Sequence, residues 1–261
     1  MPLSVISKAQ IKSIRALQQK KHRYEQGCFV VEGEKLVLEL LSLHGGRGVQ
    51  CLKLVMTEDF AQAHENLWSR CESVWLATAE QLAQMGQLQS NRGALAVVAM
   101  PKPDPLICQP DNWTLVLDCI NDPGNLGTIL RVADWFGIEQ VVCSANTVDV
   151  FNPKVVAAAK GSLLRVMPHV RDLPELLSQW QGQLPILGAV LDGESVHDLP
   201  VLQGGVLVMG NESHGISSAV AALIDRPVTI PSYGGGAESL NVAMATGILC
   251  DNLRRLSCSA K

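Results

Sequence analysis

The sequence predicts an α/β protein whose carboxyl-terminal part is built on a mainly parallel sheet. Three observations carry that reading. Short apolar runs such as TLVLDCI (114–120), QVVCSA (140–145) and GVLVMG (205–210) are continuous rather than alternating, as strands covered on both faces are. Segments of helical spacing lie between the strands: TILRVADWFG (128–137), FNPKVVAAAKG (151–161), LPELLSQW (173–180) and SSAVAALI (217–224). Residues 230–256, IPSYGGGAESLNVAMATGILCDNLRRL, then join a polar glycine turn to an almost wholly apolar helix.

Taken in order, Ser7 is placed to cap a helix in which Ile11, Ile14 and Leu17 recur at helical spacing. Lys8, Lys12, Arg15, Lys20, Lys21 and Arg23 precede the first acidic residue, Glu25, so this helix is cationic and amphipathic. A strand CFVVEG (28–33) follows, then a helix GEKLVLELLSL (33–43) closed by Gly45-Gly46. Strand CLKLVMT (51–57), a helix over AQAHENLWSR (61–70), strand SVWLAT (73–78), helix AEQLAQM (79–85) and strand GALAVVAM (93–100) complete a small α/β unit over residues 1–100. PKPDPLICQP (101–110) holds four prolines and predicts a linker. The second domain spans 111–261, with further strands at LLRVMPHV (163–170), PILGAVL (185–191) and RPVTIP (226–231).

Composition narrows the classes. A chain of 261 residues, 47% of them hydrophobic, suffices for two ordinary domains. No uninterrupted apolar run predicts a membrane span, and the amino-terminal segment lacks an apolar signal core. The eight cysteines lie in apolar segments without a C-x-x-C pair, which fits free thiols in a reducing cytoplasm and no metal site. His169, His197 and His214 have no metal-ligand spacing. Net charge is −4 overall, +2 over residues 1–110 and −6 over 111–261, so a basic stripe can meet phosphates although the whole chain is acidic.

The chemistry is expected where three loops follow three apolar strands at their carboxyl ends, the ligand edge of an open parallel sheet. The loops are NDPGNLGTILR (121–131), GNESHGIS (210–217) and SYGGGAESLN (232–241), carrying Asn125, Arg131, Asn211, Glu212, Ser239 and Asn241. Gly234, Gly235 and Gly236 are read as free to take positive φ, Ser239 as the cap of the last helix, and Asn241 as a polar group needing a partner. A nucleotide P-loop is not present, and G-x-x-G in the first loop signals a dinucleotide site only weakly.

These three segments, N-D-P-G-N-L-G-T-I-L-R-V-A-D-W-F-G, L-V-M-G-N-E-S-H-G-I-S and I-P-S-Y-G-G-G-A-E-S-L-N-V-A-M-A, resemble in sequence and order the three motifs of the SpoU/TrmH-type RNA ribose 2′-O-methyltransferases of the SPOUT class. Residues 8–40 resemble the small ribosomal-protein-like substrate-binding domain that precedes the catalytic domain in many members. The resemblance implies a trefoil-knotted carboxyl-terminal domain, a homodimer, and S-adenosylmethionine contacted by Gly210, Ile230 and Leu240. It implies catalytic roles for Arg131, Asn125, Glu212, Ser239 and Asn241. Arg131 would clamp phosphate and ribose, since a guanidinium rarely gives up its proton. Asn125 would orient Arg131 or the ribose, Glu212 would pair with Arg131 or fix the loops, and Ser239 and Asn241 would line the pocket. Lys8, Lys12, Arg15, Lys20, Lys21 and Arg23 are the candidate contacts to structured RNA, ribosomal RNA above all. Transfer RNA is the alternative substrate; a non-catalytic RNA-binding protein on the same scaffold and a nicotinamide enzyme are the competing classes.

Overall fold

The computed structural model describes residues 3–43, 49–68, 71, 73–234 and 236–258. The chain forms two compact units, one of residues 1–102 with 149–164, the other of 103–148 with 165–261.

In the first unit, β1 (Ser4–Val5) leads into α1 (Lys8–Ala16), opened by a full capping box: the Ser7 hydroxyl accepts from the Gln10 amide and the Gln10 side chain accepts from the Ser7 amide. The cationic stretch is two helices rather than one, because Gln19 is extended before α2 (Lys20–Gln26) begins. Gly27 ends α2 with φ +61, a left-handed position that suits glycine. Then come β2 (Cys28–Glu32), α3 (Glu34–Leu43), β3 (Cys51–Met56), α4 (Glu58–Ala63), α5 (Glu65–Trp68), β4 (Val74–Leu76), α6 (Ala79–Met85) and β5 (Ala94–Ala99). The helix expected over 61–70 starts earlier, at the Thr57 cap, and breaks at His64; Ser69 and Arg70 lie outside the described residues, as does the Gly45-Gly46 helix stop. The sheet order is β1-β4-β3-β5-β2, with β1, β4 and β3 parallel and β5 antiparallel to both neighbours. Ile6, Ile14, Leu17, Val30, Val55, Leu82 and Val97 form its core, so the apolar face of α1 is buried as its periodicity predicts.

Arg23 corrects the reading of the basic stripe. Lys8, Lys12, Arg15, Lys20 and Lys21 are exposed, but Arg23 is only 2% exposed. Its guanidinium donates to the carbonyls of Leu17 and Gln18, both at 2.9 Å, and pairs with Asp149, which also accepts from the Tyr24 hydroxyl at 2.9 Å. A cation taken out of water must be neutralised in place. Arg23 therefore serves the core of this unit and is not available to RNA.

The chain continues through β6 (Trp113–Leu117), α7 (Pro123–Trp135) and β7 (Gln140–Ser144), then through α8 (Pro153–Ala159), which packs on β2 in the first unit. Next are β8 (His169–Arg171), α9 (Leu173–Trp180), β9 (Ile186–Ser195), β10 (Gly205–Met209), α10 (Ser218–Ala221), β11 (Arg226–Thr229) and α11 (Val242–Cys258). The second sheet has the order β11-β9-β10-β6-β7-β8, with every pairing parallel. The strand expected over 163–170 is instead a 3-10 turn at Ser162–Leu164 followed by the short β8, Pro168 having no amide to give to a ladder. Among the described residues, Cys28, Cys51, Cys71, Cys108, Cys119, Cys143 and Cys250 are free thiols; burial lifts those of Cys143 and Cys250 to about 12, which keeps them inert at neutral pH. Among the described residues no helix is long and apolar enough to cross a membrane.

Candidate active site

A parallel sheet sends the carboxyl ends of β6, β10 and β11 to one edge, and the three polar segments start there. The first is not a loop before a helix but the first turns of α7. The Asp122 carboxylate caps the helix by accepting from the Asn125 amide at 2.8 Å, and Pro123 takes the first helical position, where its missing N–H is no loss.

The segments from β6 and β10 are laced together by buried polar bonds. The Asp118 amide donates to the Met209 carbonyl at 2.9 Å and its buried carboxylate accepts from the Ser217 amide at 2.8 Å. The Asn211 side chain donates to the Cys119 carbonyl at 2.9 Å, while its oxygen accepts from the Ser213 amide at 2.8 Å. Cys119 has φ +59, a left-handed backbone that costs a β-carbon-bearing residue about 1–2 kcal/mol. The Ser144 hydroxyl holds its amide at 2.9 Å. Sequence reading missed Cys119 as a positioning residue; its place directly between a buried strand and the Asn121 turn was the available signal.

Asn211 and Gly215 exchange both backbone hydrogen bonds at 2.9 Å, closing residues 211–215 into a tight turn. A β-carbon on Gly210 would collide with the backbone of Gly215 and Ile216. Glycine is thus required at 210 by the folding of this turn on itself, not by a ligand alone. Gly234 and Gly236 differ: neither has positive φ, and a β-carbon on either would meet nothing within 4 Å. No steric demand from the chain itself selects glycine there; Gly235 lies outside the described residues.

The expected catalytic residues separate into two groups. Asn125, Glu212 and Asn241 are brought together from segments that are 87 and 116 residues apart in sequence: Asn125 Nδ2 donates to Glu212 Oε1, and Asn241 Nδ2 donates to Asn125 Oδ1 at 2.9 Å. A carboxylate only accepts, so Glu212 fixes which way the Asn125 amide faces, and Asn125 in turn aims Asn241. Both asparagines are tied to helix starts, Asn125 through Asp122 and Asn241 by accepting from the amides of Ala243 and Met244 at 3.0 and 3.3 Å. Asn241, and not Ser239, therefore caps α11. The side chains of Arg131 and Ser239 are exposed and make no hydrogen bond or ion pair among the described residues, so Glu212 holds Asn125 rather than Arg131. Arg131 is six residues beyond Asn125 on α7, about 9 Å along the axis and about 240° round it. It belongs to the exposed stripe Thr128, Arg131 and Trp135.

Helices α7 and α11 run side by side in the same direction: Asn125 meets Asn241 at their starts, and Arg254 donates to the carbonyls of Phe136 and Gly137, both at 2.7 Å, at their ends. The apolar composition of α11 does not mean burial on all sides. Met244 is 61% exposed, Ile248 is half-buried, and Trp135 on α7 is 85% exposed. Of the expected cofactor contacts, Gly210 and Ile230 are half-buried and Leu240 is 46% exposed.

Both parts of the chain are similar to known proteins. Residues 112–251 match the model of the SpoU rRNA Methylase family, and residues 8–96 match the MRM3-like substrate binding domain. The 23S rRNA (guanosine(2553)-2′-O)-methyltransferase RlmP of Bacillus subtilis is 30% identical over 246 residues, covering 94% of this chain and 95% of the relative. A solved TrmH-family protein from Porphyromonas gingivalis superposes with a TM-score of 0.84 at 39% identity, covering 97% of this chain and 99% of the other. The SpoU methyltransferase AviRb of Streptomyces viridochromogenes, solved in complex with AdoMet, superposes with a TM-score of 0.84 at 26% identity over the same shares.

Proposed function

The chain belongs to the SpoU rRNA Methylase family, and we propose that it transfers a methyl group from S-adenosylmethionine to a ribose 2′-hydroxyl of ribosomal RNA. The observation that carries this reading is the Asn241–Asn125–Glu212 chain, in which one residue from each of the three polar segments meets the others at the carboxyl edge of a parallel sheet. The surroundings fit the donor: Ile230 and Leu240 offer apolar surface to an adenine ring, and the unfilled space over Gly234 and Gly236 lets polar backbone approach a ligand.

When bound, S-adenosylmethionine supplies an electrophilic methyl group on a sulfonium. The chain's own residues bring the ribose oxygen to it. Asn125, locked by Glu212, leaves its second amide N–H and an oxygen lone pair for the ribose or for the donor's polar groups. Arg131, exposed and without a partner among the described residues, clamps phosphate and ribose and lowers the free energy of the ionising 2′-hydroxyl through its positive charge. Ser239, exposed on the segment before α11, is a further contact to substrate. Placement of this kind contributes several kcal/mol, up to roughly 7–11 in ideal cases.

The same reading has the trefoil-knotted path of the SPOUT class, a small RNA-binding domain over 1–100 joined through 101–110 to a catalytic domain over 111–261, and a cytoplasmic homodimer. Exposed Met244 on α11, Leu240 just before that helix and Trp135 on α7 support the dimer, because a second subunit would remove this apolar surface from water. The test is to map 2′-O-methylated positions in total RNA from cells with and without the protein. Loss of one ribose methyl in ribosomal RNA is expected; loss confined to transfer RNA would change the substrate, and an unchanged map would remove the activity.

A further inference from the structure

The first unit carries a cleft of about 550 Å³ between α1 and the end of α6, lined by Lys12, Arg15, Gln18, Gln19, Gln84 and Gln87 with Ala16, Ala83 and Gly86. No acidic side chain lines it. We propose that this cleft seats the sugar–phosphate backbone of a double-helical RNA segment, Lys12 and Arg15 taking phosphates and Gln19 and Gln84 reading ribose 2′-hydroxyls. The inference rests on the RNA-substrate reading above and says where, and in what form, that RNA is gripped.

The cleft has a rigid floor and free walls. Gln18 donates to the Met85 carbonyl at 2.8 Å and accepts from the Gln87 side chain at 2.7 Å, which bridges the two sides. The turn after α6 is held by the Glu32 carboxylate, which accepts from the Gln87 amide at 2.8 and 3.0 Å and from the Leu88 amide at 3.2 Å. A β-carbon on Gly86 would meet that carboxylate and push it from its place. The Glu32 carboxylate is thus engaged in holding the wall. By contrast Lys12, Arg15, Gln19 and Gln84 are exposed, and their side chains make no hydrogen bond or ion pair among the described residues. Lys12 and Arg15 sit three apart on one face of α1.

The chemistry of the lining selects the ligand. Two cations suit phosphates, and carboxamides, which donate and accept, suit a hydroxyl that does both. The lining holds no aromatic ring, so splayed bases find no stacking platform. A duplex is recognised without one, through phosphates and the 2′-hydroxyls displayed in the wide minor groove of A-form RNA.

The experiment measures binding of the full-length protein to a labelled RNA hairpin with a stem of about 16 base pairs, to a DNA hairpin of the same sequence and to single-stranded oligouridine, over a range of salt. Lys12→Ala/Arg15→Ala is expected to weaken hairpin binding about tenfold or more and to reduce the log–log salt slope by about 2. Gln19→Ala/Gln84→Ala is expected to leave the slope unchanged and to lower the preference for RNA over DNA. Titration with S-adenosylmethionine, expected to be the same for all three proteins, reports that each is folded. Variants that bind the hairpin as the parent does, or a parent that prefers oligouridine, would overturn the cleft assignment. Failure of the parent to bind S-adenosylmethionine would instead strike the methyltransferase reading and leave the hairpin data to be read alone.

Discussion

Asn125 shows how a single amide can join two remote segments. Its Nδ2 is committed to Glu212 and its Oδ1 to Asn241, so Asn125→Asp replaces a donor with an oxygen facing a carboxylate. We expect methyl transfer to fall by at least about a hundredfold, and a double-mutant cycle of Asn125→Ala with Asn241→Ala to give a stability coupling of about 0.5–3 kcal/mol. Strict additivity in thermal unfolding would mean the two side chains do not support each other. Arg131 is the opposite case, an exposed cation with no partner among the described residues. Arg131→Ala should abolish turnover while S-adenosylmethionine affinity, read by calorimetry, stays within about twofold, and Arg131→Lys should not restore it because the planar fork is lost. Near-normal turnover in Arg131→Ala would remove the residue from the mechanism. The pairing of Asn125 with Asn241 was not legible in the sequence beyond the need of each for a partner, since the two are 116 positions apart. What is legible is that each lies in a glycine-bearing polar segment at the end of an apolar strand or the start of a helix.

Among the elements, most of those with local signals are legible in the sequence, while those settled by distant contacts are not. Ser7 and Gln10 announce α1 within four residues, and the continuous apolar runs announce β6, β7 and β10. Asp122-Pro123 is an equally local start signal for α7, although the glycines at 124 and 127 suggest a loop; both are helical in the structure. Arg23 looked like its basic neighbours because nothing nearby reveals Asp149. Arg23→Ala should leave that carboxylate buried without its cation and destabilise the first unit by about 3–5 kcal/mol in denaturant unfolding, whereas Lys20→Ala and Lys21→Ala should change stability by less than about 0.5 kcal/mol. Equal effects at all three positions would contradict the buried pair. At β8, His169 is 4% exposed and its Nδ1 has no hydrogen-bond partner among the described residues. Burial first and the Arg171 charge second hold its pKa below the ordinary 6.5, against a smaller opposing pull from Asp104. The unfolded chain therefore binds a proton that the folded chain resists, so the His169 contribution is present above pH 6.5 and is lost as pH falls below it. Melting temperatures measured down from pH 7.5 should drop below that point, and His169→Gln should flatten the drop; parallel curves for the two proteins would count against it.

For the molecule as a whole, the α/β class, the parallel sheet and the three polar segments at one edge were all readable from strand and loop composition. The membership of 149–164 in the first unit was not, since it depends on an ion pair and on α8 packing against β2. The single measurement closest to the central claim is to incubate the purified protein with S-adenosylmethionine labelled at the methyl and ribosomal RNA from cells lacking it, digest the RNA to nucleosides, and separate them. The label should run as one 2′-O-methylnucleoside and be absent with the Asn125→Asp variant. Label on a base, or equal labelling by the variant, would contradict a ribose methyltransferase working through the Asn241–Asn125–Glu212 chain.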